Sequence, residues 1–550
     1  MHFNKNTFAI IFFTFVASVT YAQDYYGATQ RKQWLAIAEE NKPKLIEVKK
    51  HPVSIVTTVK DANSFQGWKT EIKGKPEELF ASSFKKQSGV ILDFGEHLTG
   101  NFTFSVNSLN STPDAPVRFK LTFGEVPSEV SVPFDPYNGD LSRAWLQDEV
   151  MTVFVPSNVT IPRRLSFRYV KIELLGSSQY YDFSITDAFV NSTTSAVSIP
   201  EKLNSKTSEL TAKIDAVGLT TLKECMQTVY EDGPKRDRRL WIGDLYLEAL
   251  ANTYSYKQHN LTKRCLYLLA GLSQEDGFLY SNVFETPKPH AQERSPFLFD
   301  YSLLYNVALK DYLTATNDTK TANDLWPVAK RQMDNITKYL DKNGVFNADE
   351  AAKNGWWLFA DWNNKLDRQG SLQGIMIFSM KETLALAKTL GKEKEVAQLP
   401  ALITKMTNGA SAHLFDKKLG LFVSGKDKQV SYGSNSWLVI AGVVKGKEAQ
   451  KVLKALQADK NAVKPGTPYM YHYYVQALID SGLTADAKAL IDNYWGGMVK
   501  KGADTFWEVY DPTNEELSPY GFYPINSYCH AWSCTPVYFI RKYPEIFQKN

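Results

Sequence analysis

Residues 231–256 read EDGPKRDRRLWIGDLYLEALANTYSY, and the fold turns on where this stretch changes character. Its first nine residues hold Glu231, Asp232, Lys235, Arg236, Asp237, Arg238 and Arg239, and Gly233-Pro234 breaks any helix entering from upstream. From Trp241 onward the residues are apolar at helical spacing. Asp244 falls in the first turn, where a carboxylate meets the positive end of the helix. A charged turn feeding an apolar helix gathers three carboxylates, Asp232, Asp237 and Asp244, at a helix mouth. A solvated charge run followed by an ordinary helix cap is the plain alternative for the same residues.

Downstream the helical period persists. SELTAKIDAVGLTTLKECMQTVY, just before the turn, puts Leu210, Ile214, Val217, Leu222, Met226 and Val229 on one stripe. Runs such as SLLYNVALKDYLTAT, SLQGIMIFSMKETLALAKTLG and PYMYHYYVQALIDSG follow, separated by loops rich in Trp, Asp, Gly and Pro. Paired helices of this kind fit a closed double ring, an (α/α)6 toroid with a pocket ringed by loops. A non-toroidal helical domain stays open on pattern alone. Upstream, from about residue 50 to 195, the period is two: NFTFSV puts Phe102, Phe104 and Val106 on one face, and RYVKIELL alternates Val170, Ile172 and Leu174 with Lys171 and Glu173. STPDAP, PFDPYNGD and VPSNVTIP break these runs, as expected for a β-sandwich-type domain. The predicted organisation is therefore a signal peptide over 1–22, a β-domain over 23–200 and a helical domain over 205–550.

The signal peptide rests on Lys5, the apolar run from Phe8 to Val19, and Thr20-Tyr21-Ala22, with cleavage expected after Ala22. That run is too short to span a bilayer, and no other segment is long enough, so no membrane insertion of the mature chain is expected. Export to the periplasm or the medium follows. Of 550 residues, 43% are hydrophobic and 22% charged, with a net charge of +4 and no basic stripe, which argues against nucleic-acid partners. Aromatics reach 13%, and aromatic faces suit sugar rings. Cys225, Cys265, Cys529 and Cys534 lack zinc spacing and read as buried free thiols. No cofactor or metal motif occurs. Composition leaves the oligomeric state undetermined. His290, His413 and His472 read as surface or core residues.

The stretch DGPKRDRRLWIGD resembles the signature of glycoside hydrolase family 78, the α-L-rhamnosidases, with Asp232, Pro234, Arg236, Trp241, Gly243 and Asp244 in matching places. SGVILDFGEHLTGNFTFSV and RRLSFRYVKIELL resemble strands of that family's β-domain. GADTFWEVYDP resembles its late Thr-x-Trp-Glu segment, which supplies Glu508, and SYCHAWSCTPVYFI resembles its final element, which supplies His530. The resemblance spans roughly residues 85–545. It implies a β-sandwich followed by an (α/α)6 barrel, a carbohydrate substrate, and hydrolysis by single displacement with inversion. Asp237 departs from the pattern, since the family's acid is Glu, and Asp reaches about 1.5 Å less. The DGPKRDR form further suggests an exported subgroup acting on rhamnose linked to glucuronic acid.

The roles the resemblance implies are Asp237 as general acid and Glu508 as base. Asp232, Arg236, Asp244 and His530 would bind sugar hydroxyls, with Trp241 stacked on an apolar sugar face. NGWWLFADWNNKLDRQGS resembles the family's Gly-Asp-Trp loop, with Ala360 for Gly, and adds Trp357, Asp361 and Trp362. SPFLFDYSLLY adds Asp300 as a further pocket residue. Two alternatives remain: the same barrel cleaving another deoxyhexose or a uronic acid linkage, and a catalytically dead barrel retained as a sugar-binding protein.

Overall fold

The computed structural model describes residues 24–87, 89–294 and 296–549, so the expected signal peptide lies outside the described residues. A sheet-rich domain is followed by a helical one. Nine strands make up the first: β1 Ile46–Lys50, β2 Ser54–Lys60, β3 Trp68–Gly74, β4 Gly89–Ser108, β5 Val117–Gly124, β6 Asp148–Val153, β7 Ser157–Thr160, β8 Leu165–Gly176 and β9 Phe183–Thr194. They pair antiparallel in the order β1-β9-β4-β8-β5-β6, with β2 and β7 joined to β4 and β3 to β2.

The 20-residue β4 organises the domain because it changes register partway. Its pairing with β8 shifts between Asp93 and Leu98, and its second half pairs with β9. Gly95 sits inside that irregularity at φ +77°, which an L side chain rarely adopts, and its N–H donates to Asp93 Oδ1 at 2.7 Å. The alternation read from sequence appears as burial: Phe102, Phe104 and Val106 are fully buried, as are Val170 and Ile172.

The helix Ala28–Glu40 (α1) lies within the span expected for the β-domain. It packs instead on the helical domain, where Arg264 donates to the Ala38 carbonyl at 2.5 Å and Arg31 to Ser273 and Gln274. Its burial is confined to Trp34 and Ala38, too sparse a stripe for periodicity to show the partner.

The helical domain opens with α2 (Glu209–Cys225), capped by Ser208, whose Oγ accepts from the Thr211 N–H at 3.2 Å. Helices then alternate in character. Those buried nearly all round are α3 (Ile242–Thr253), α5 (Phe299–Thr316), α7 (Gln369–Leu390), α9 (Tyr432–Ile440), α11 (Pro468–Asp480) and α13 (Pro536–Lys542). Between them come α4 (His259–Gly271), α6 (Thr319–Gln332), α8 (Leu399–His413), α10 (Gly446–Ala458) and α12 (Thr484–Lys500), of which α10 buries only Ala449, Val452, Leu453 and Leu456, while α4, covered by α1, is itself buried along most of its length. A helix buried all round belongs inside, and one with a single stripe belongs outside. The contacts follow that rule: α3 packs on α5, α5 on α7, α7 on α9, α9 on α11, and α13 on α3. His472 of α11 meets Phe539 of α13 with ring centroids 4.9 Å apart. The loops entering α3, α5 and α7 consequently lie together at one end.

Among the described residues, no helix is long and apolar enough to cross a membrane. All four cysteines are buried and unbridged, with Cys225 Sγ 3.9 Å from Cys529 Sγ.

Candidate active site

The turn Asp232–Arg239 is folded around its own first carboxylate. Asp232 Oδ2 accepts from the Asp237 N–H and Oδ1 from the Arg239 N–H, each at 3.0 Å, while its backbone N–H donates to the Arg239 carbonyl. Arg238 takes φ +60° to complete the turn. Its guanidinium faces away from the site, donating to the Pro234 and Arg164 carbonyls at 2.9 and 2.6 Å. Lys235 also leaves, buried between Glu129 (2.7 Å) and Glu125 (3.2 Å) of the sheet-rich domain. Glu231 accepts from Arg164 at 2.5 Å. Of the dense charge in this turn, the side chains left on the inner face are Asp232, Arg236, Asp237 and Arg239.

They line a cavity of about 300 Å3 at the mouth of the inner helices, together with Trp241, Asp244, Trp357, Trp362, Glu508 and His530. Glu508 is buried and firmly held: Tyr520 Oη donates to Oε1 at 2.5 Å, the Ser527 N–H donates to Oε2 at 3.1 Å, and Arg236 also donates to Oε2. Arg236 is buried as well, with its guanidinium 4.4 Å from the Tyr520 ring centre, and it reaches Asp237 Oδ1 at 3.9 Å. A single guanidinium thus stands between the two carboxylates expected to do chemistry. Asp237 is less enclosed, its side chain 18% exposed, with Arg239 at 3.5 Å.

Burial, followed by the neighbouring Asp237 carboxyl, pushes Asp232 up to about 8. Burial, followed by Asp232, pushes Asp244 well above the usual carboxylate range. His530 is driven well below its ordinary value by burial and then by Arg236. Asp244 Oδ1 and His530 Nδ1 lie 3.8 Å apart, and both shifts disfavour the charged forms that an ion pair would need. Among the described residues neither atom has a hydrogen-bond partner, so both are open to a polar ligand.

The cavity wall is aromatic. Trp241 meets Tyr301 and Trp357 edge-on, each with centroids 6.3 Å apart. Gly243 follows from this packing, because a Cβ there would sit 2.3 Å from the Tyr301 ring. Trp362 packs against Phe359 and Tyr520.

Two expected pocket residues, Asp300 and Asp361, are placed behind the wall. Asp300 accepts from the Phe359 and Ala360 N–H groups at 3.2 and 2.9 Å, fixing the loop where Ala360 takes φ +51°. Asp361, raised to about 6 by burial, accepts from the Gly466 N–H and the Thr467 hydroxyl, both at 2.6 Å. Neither lies on the cavity wall, and their hydrogen bonds hold the loop that carries Trp357 and Trp362. A short acidic residue inside an aromatic loop reads the same from sequence whether it faces the ligand or the backbone.

Sequence reading missed Tyr301, Phe359, Tyr520 and Trp532, along with Leu141, Gln292 and Arg294, all on the cavity wall. Tyr520 and Arg294 sit in loops without periodicity, so no signal marked them. Trp532 lies two residues from His530, and its indole N–H donates to the Glu508 carbonyl at 2.9 Å.

Residues 52–192 match the glycosyl hydrolase family 78 α-rhamnosidase N-terminal domain, and residues 205–543 the bacterial α-L-rhamnosidase six-hairpin glycosidase domain. A rhamnosidase from Klebsiella oxytoca, solved with rhamnose bound, is 40% identical with a TM-score of 0.89, covering 93% of this chain and 99% of that one. A family 78 rhamnosidase from a Bacillus species shares the fold at 20% identity and a TM-score of 0.67, over 82% of this chain and 46% of that one. A curated relative, an N,N'-diacetylchitobiose phosphorylase from Vibrio proteolyticus, is 22% identical over 173 residues, 28% of this chain and 21% of its own length. The chain belongs to glycoside hydrolase family 78, the α-L-rhamnosidases.

Proposed function

We propose that the protein is an exported, inverting exo-α-L-rhamnosidase, with an (α/α)6 toroid behind a β-sandwich. The observation that carries the mechanism is Arg236, which spans from Asp237 to Glu508. Inversion needs a carboxyl on each face of the sugar, about 6.5–9.5 Å apart, so that a water fits on one side. One guanidinium between the pair is a spacing of that scale. Asp237 donates its proton to the glycosidic oxygen as the bond from C1 to that oxygen breaks. Glu508 takes a proton from the water whose oxygen bonds to C1. Arg236, Tyr520 and the Ser527 N–H fix the Glu508 oxygens toward that water. Asp244 and His530, with unpartnered atoms on the cavity floor, meet ring hydroxyls, and Trp241 covers an apolar sugar face. Rhamnose as the released sugar is supported by the 40% identity to the relative solved with it.

For the aglycone we infer an acidic sugar, glucuronic acid in particular. The four basic residues of the turn do not carry this reading together, since Lys235 and Arg238 leave the cavity, Arg236 is held by Glu508, and Arg239, 3.5 Å from Asp237 and donating to Gln292, is only partly engaged. Arg239 and Arg294 on the cavity wall carry it, because guanidinium forks hold carboxylates bidentately. Export rests on Lys5 and the apolar run that follows.

Proton NMR during early turnover tests the mechanism. β-L-Rhamnose should appear before the α anomer, and an initial α product rules out inversion. No sugar release from any rhamnoside, with rhamnose still bound, would identify a binding module. Rates on rhamnosyl-glucuronate and rhamnosyl-glucose test the aglycone, and equal rates count against an acidic one.

A further inference from the structure

The helical domain encloses a second cavity at its other end. Where the first is built from loops entering the inner helices, this one, of about 400 Å3, is walled by the later turns of α5, α7, α9, α11 and α13. Its charges are unevenly spent. Lys310 pairs with Glu382 at 2.8 Å and Asp311 at 3.1 Å, which neutralises one side. On the other side Lys381 donates to the Ala441 carbonyl, and among the described residues neither it nor Lys445 forms an ion pair. The two ammonium groups repel each other, and after burial Lys445 is the cause that lowers Lys381.

The deeper wall supplies polar atoms without partners. Trp437 and His472 both line the cavity and are buried, and neither Trp437 Nε1 nor His472 Nδ1 has a hydrogen-bond partner. A buried polar atom left unpaired is unfavourable, so such atoms in a cavity wall mark a place where a polar ligand is favourable. Asp480, already accepting from Gln476 at 2.7 Å, adds an acceptor on the same wall. Trp437 and Phe378, ring centroids 5.9 Å apart, contribute apolar surface. Lys381 and Lys445, with Lys542 of α13 as a third cation that has no ion pair among the described residues and donates to Tyr538, join an indole N–H, an imidazole and aromatic carbon to fit a ligand that has one carboxylate, several hydroxyls and an apolar face.

We propose that this far cavity binds a small carboxylate-bearing sugar, with its carboxylate between Lys381 and Lys445 and its hydroxyls against Trp437, His472 and Asp480. The site is separate from the cavity of Asp237 and Glu508 and does not depend on the reaction proposed there.

Calorimetric titration of the full-length mature chain with D-glucuronate, in saturating L-rhamnose, tests it. Saturable binding in the millimolar range is expected, and D-glucose, which lacks the carboxylate, should bind at least tenfold more weakly. Lys381→Met with Lys445→Gln should weaken glucuronate at least tenfold. Lys445→Gln alone changes an exposed residue and leaves the packing intact, so it should give a clear, smaller loss even if the double variant fails to fold. Arg294→Gln, in the other cavity, should leave the affinity unchanged. Absence of saturable binding, equal affinity for glucose, or binding that falls with Arg294→Gln and survives Lys445→Gln would overturn the proposal.

Discussion

The turn Asp232–Arg239 and the segment Thr505–Trp532 each bring one proposed catalytic carboxylate, Asp237 and Glu508, to the same cavity, and they hold it in opposite ways. In the turn, most charged side chains serve the turn itself or the domain contact: Asp232 binds backbone, Lys235 goes to Glu125 and Glu129, and Arg238 goes to carbonyls. Asp237 is left partly exposed, with guanidinium groups at 3.5 and 3.9 Å and no closer side-chain partner. In the later segment the reverse holds. Tyr520, Ser527 and Arg236 all converge on Glu508, and Trp532 fixes its backbone. A group that takes a proton from a small, mobile water gains from being fixed. A group that meets leaving oxygens of varied aglycones gains from room to adjust. The difference in how they are held therefore matches base and acid.

The largest effect that sharpens this contrast is expected at Glu508. With Glu508 as the proposed base, Glu508→Gln removes a function that every substrate needs, so kcat should fall about 10³–10⁴-fold on a rhamnosyl disaccharide and on an activated aryl rhamnoside alike. A loss under tenfold on either substrate breaks the comparison, because the firmly held carboxylate would then not be the base.

Asp237→Asn should behave differently between the same two substrates. Loss of a general acid matters most for a poor leaving group, so the disaccharide should lose about 10²–10³-fold and the aryl rhamnoside about tenfold or less. Equal losses on both would make Asp237 a structural part of the turn.

The turn's own carboxylate should show in stability before it shows in rate. Asp232 is raised to about 8 in the folded protein, against about 3.9 unfolded. Between those values the unfolded chain releases a proton that the folded chain keeps. Stability from this group is complete below about pH 4 and is lost as pH rises toward 8. Asp232→Asn should make the fall in urea midpoint between pH 5 and 8 shallower. It should also lower the midpoint at every pH, since an amide offers one acceptor to the two N–H groups of Asp237 and Arg239. An unchanged pH slope would mean that Asp232 is ionised in the native turn.

How much of this was legible in the sequence depends on what each residue's partner is. Period two and period 3.6 exposed the two domains, because alternation and stripes are one-dimensional traces of burial. The cavity residues next to the acidic motifs, Trp241 and Asp244 among them, were legible because chain neighbours share a helix mouth. Asp300 and Asp361 were misplaced because their partners are backbone N–H groups 59 and 105 residues away, and no side-chain pattern records those. The partners of Lys235 and Arg238 were equally hidden, since they lie in the sheet-rich domain, at Glu125, Glu129 and the Arg164 carbonyl. Tyr520 carries no periodic signal, and only the fold brings its hydroxyl to Glu508.

The smallest expected effect is at Glu231, one residue before the turn and the one Glu near the place where the family carries its acid. Its carboxylate accepts from Arg164 at 2.5 Å and its N–H donates to the Cys225 carbonyl, so it faces the sheet-rich domain, and it is absent from the cavity wall. Glu231→Gln keeps an acceptor for Arg164 and removes only the charge. Activity should stay within about threefold on both substrates, a barrier change under about 1 kcal/mol. The cost should instead appear in unfolding, at about 1–2 kcal/mol, as a charge-assisted hydrogen bond becomes a neutral one. A folded Glu231→Gln variant that is inactive on the disaccharide, beside an unimpaired Asp237→Asn, would move the acid to the other side of Gly233-Pro234. The loosely held carboxylate of the turn would then be the bystander, and the contrast with Glu508 would have to be drawn between two firmly held groups.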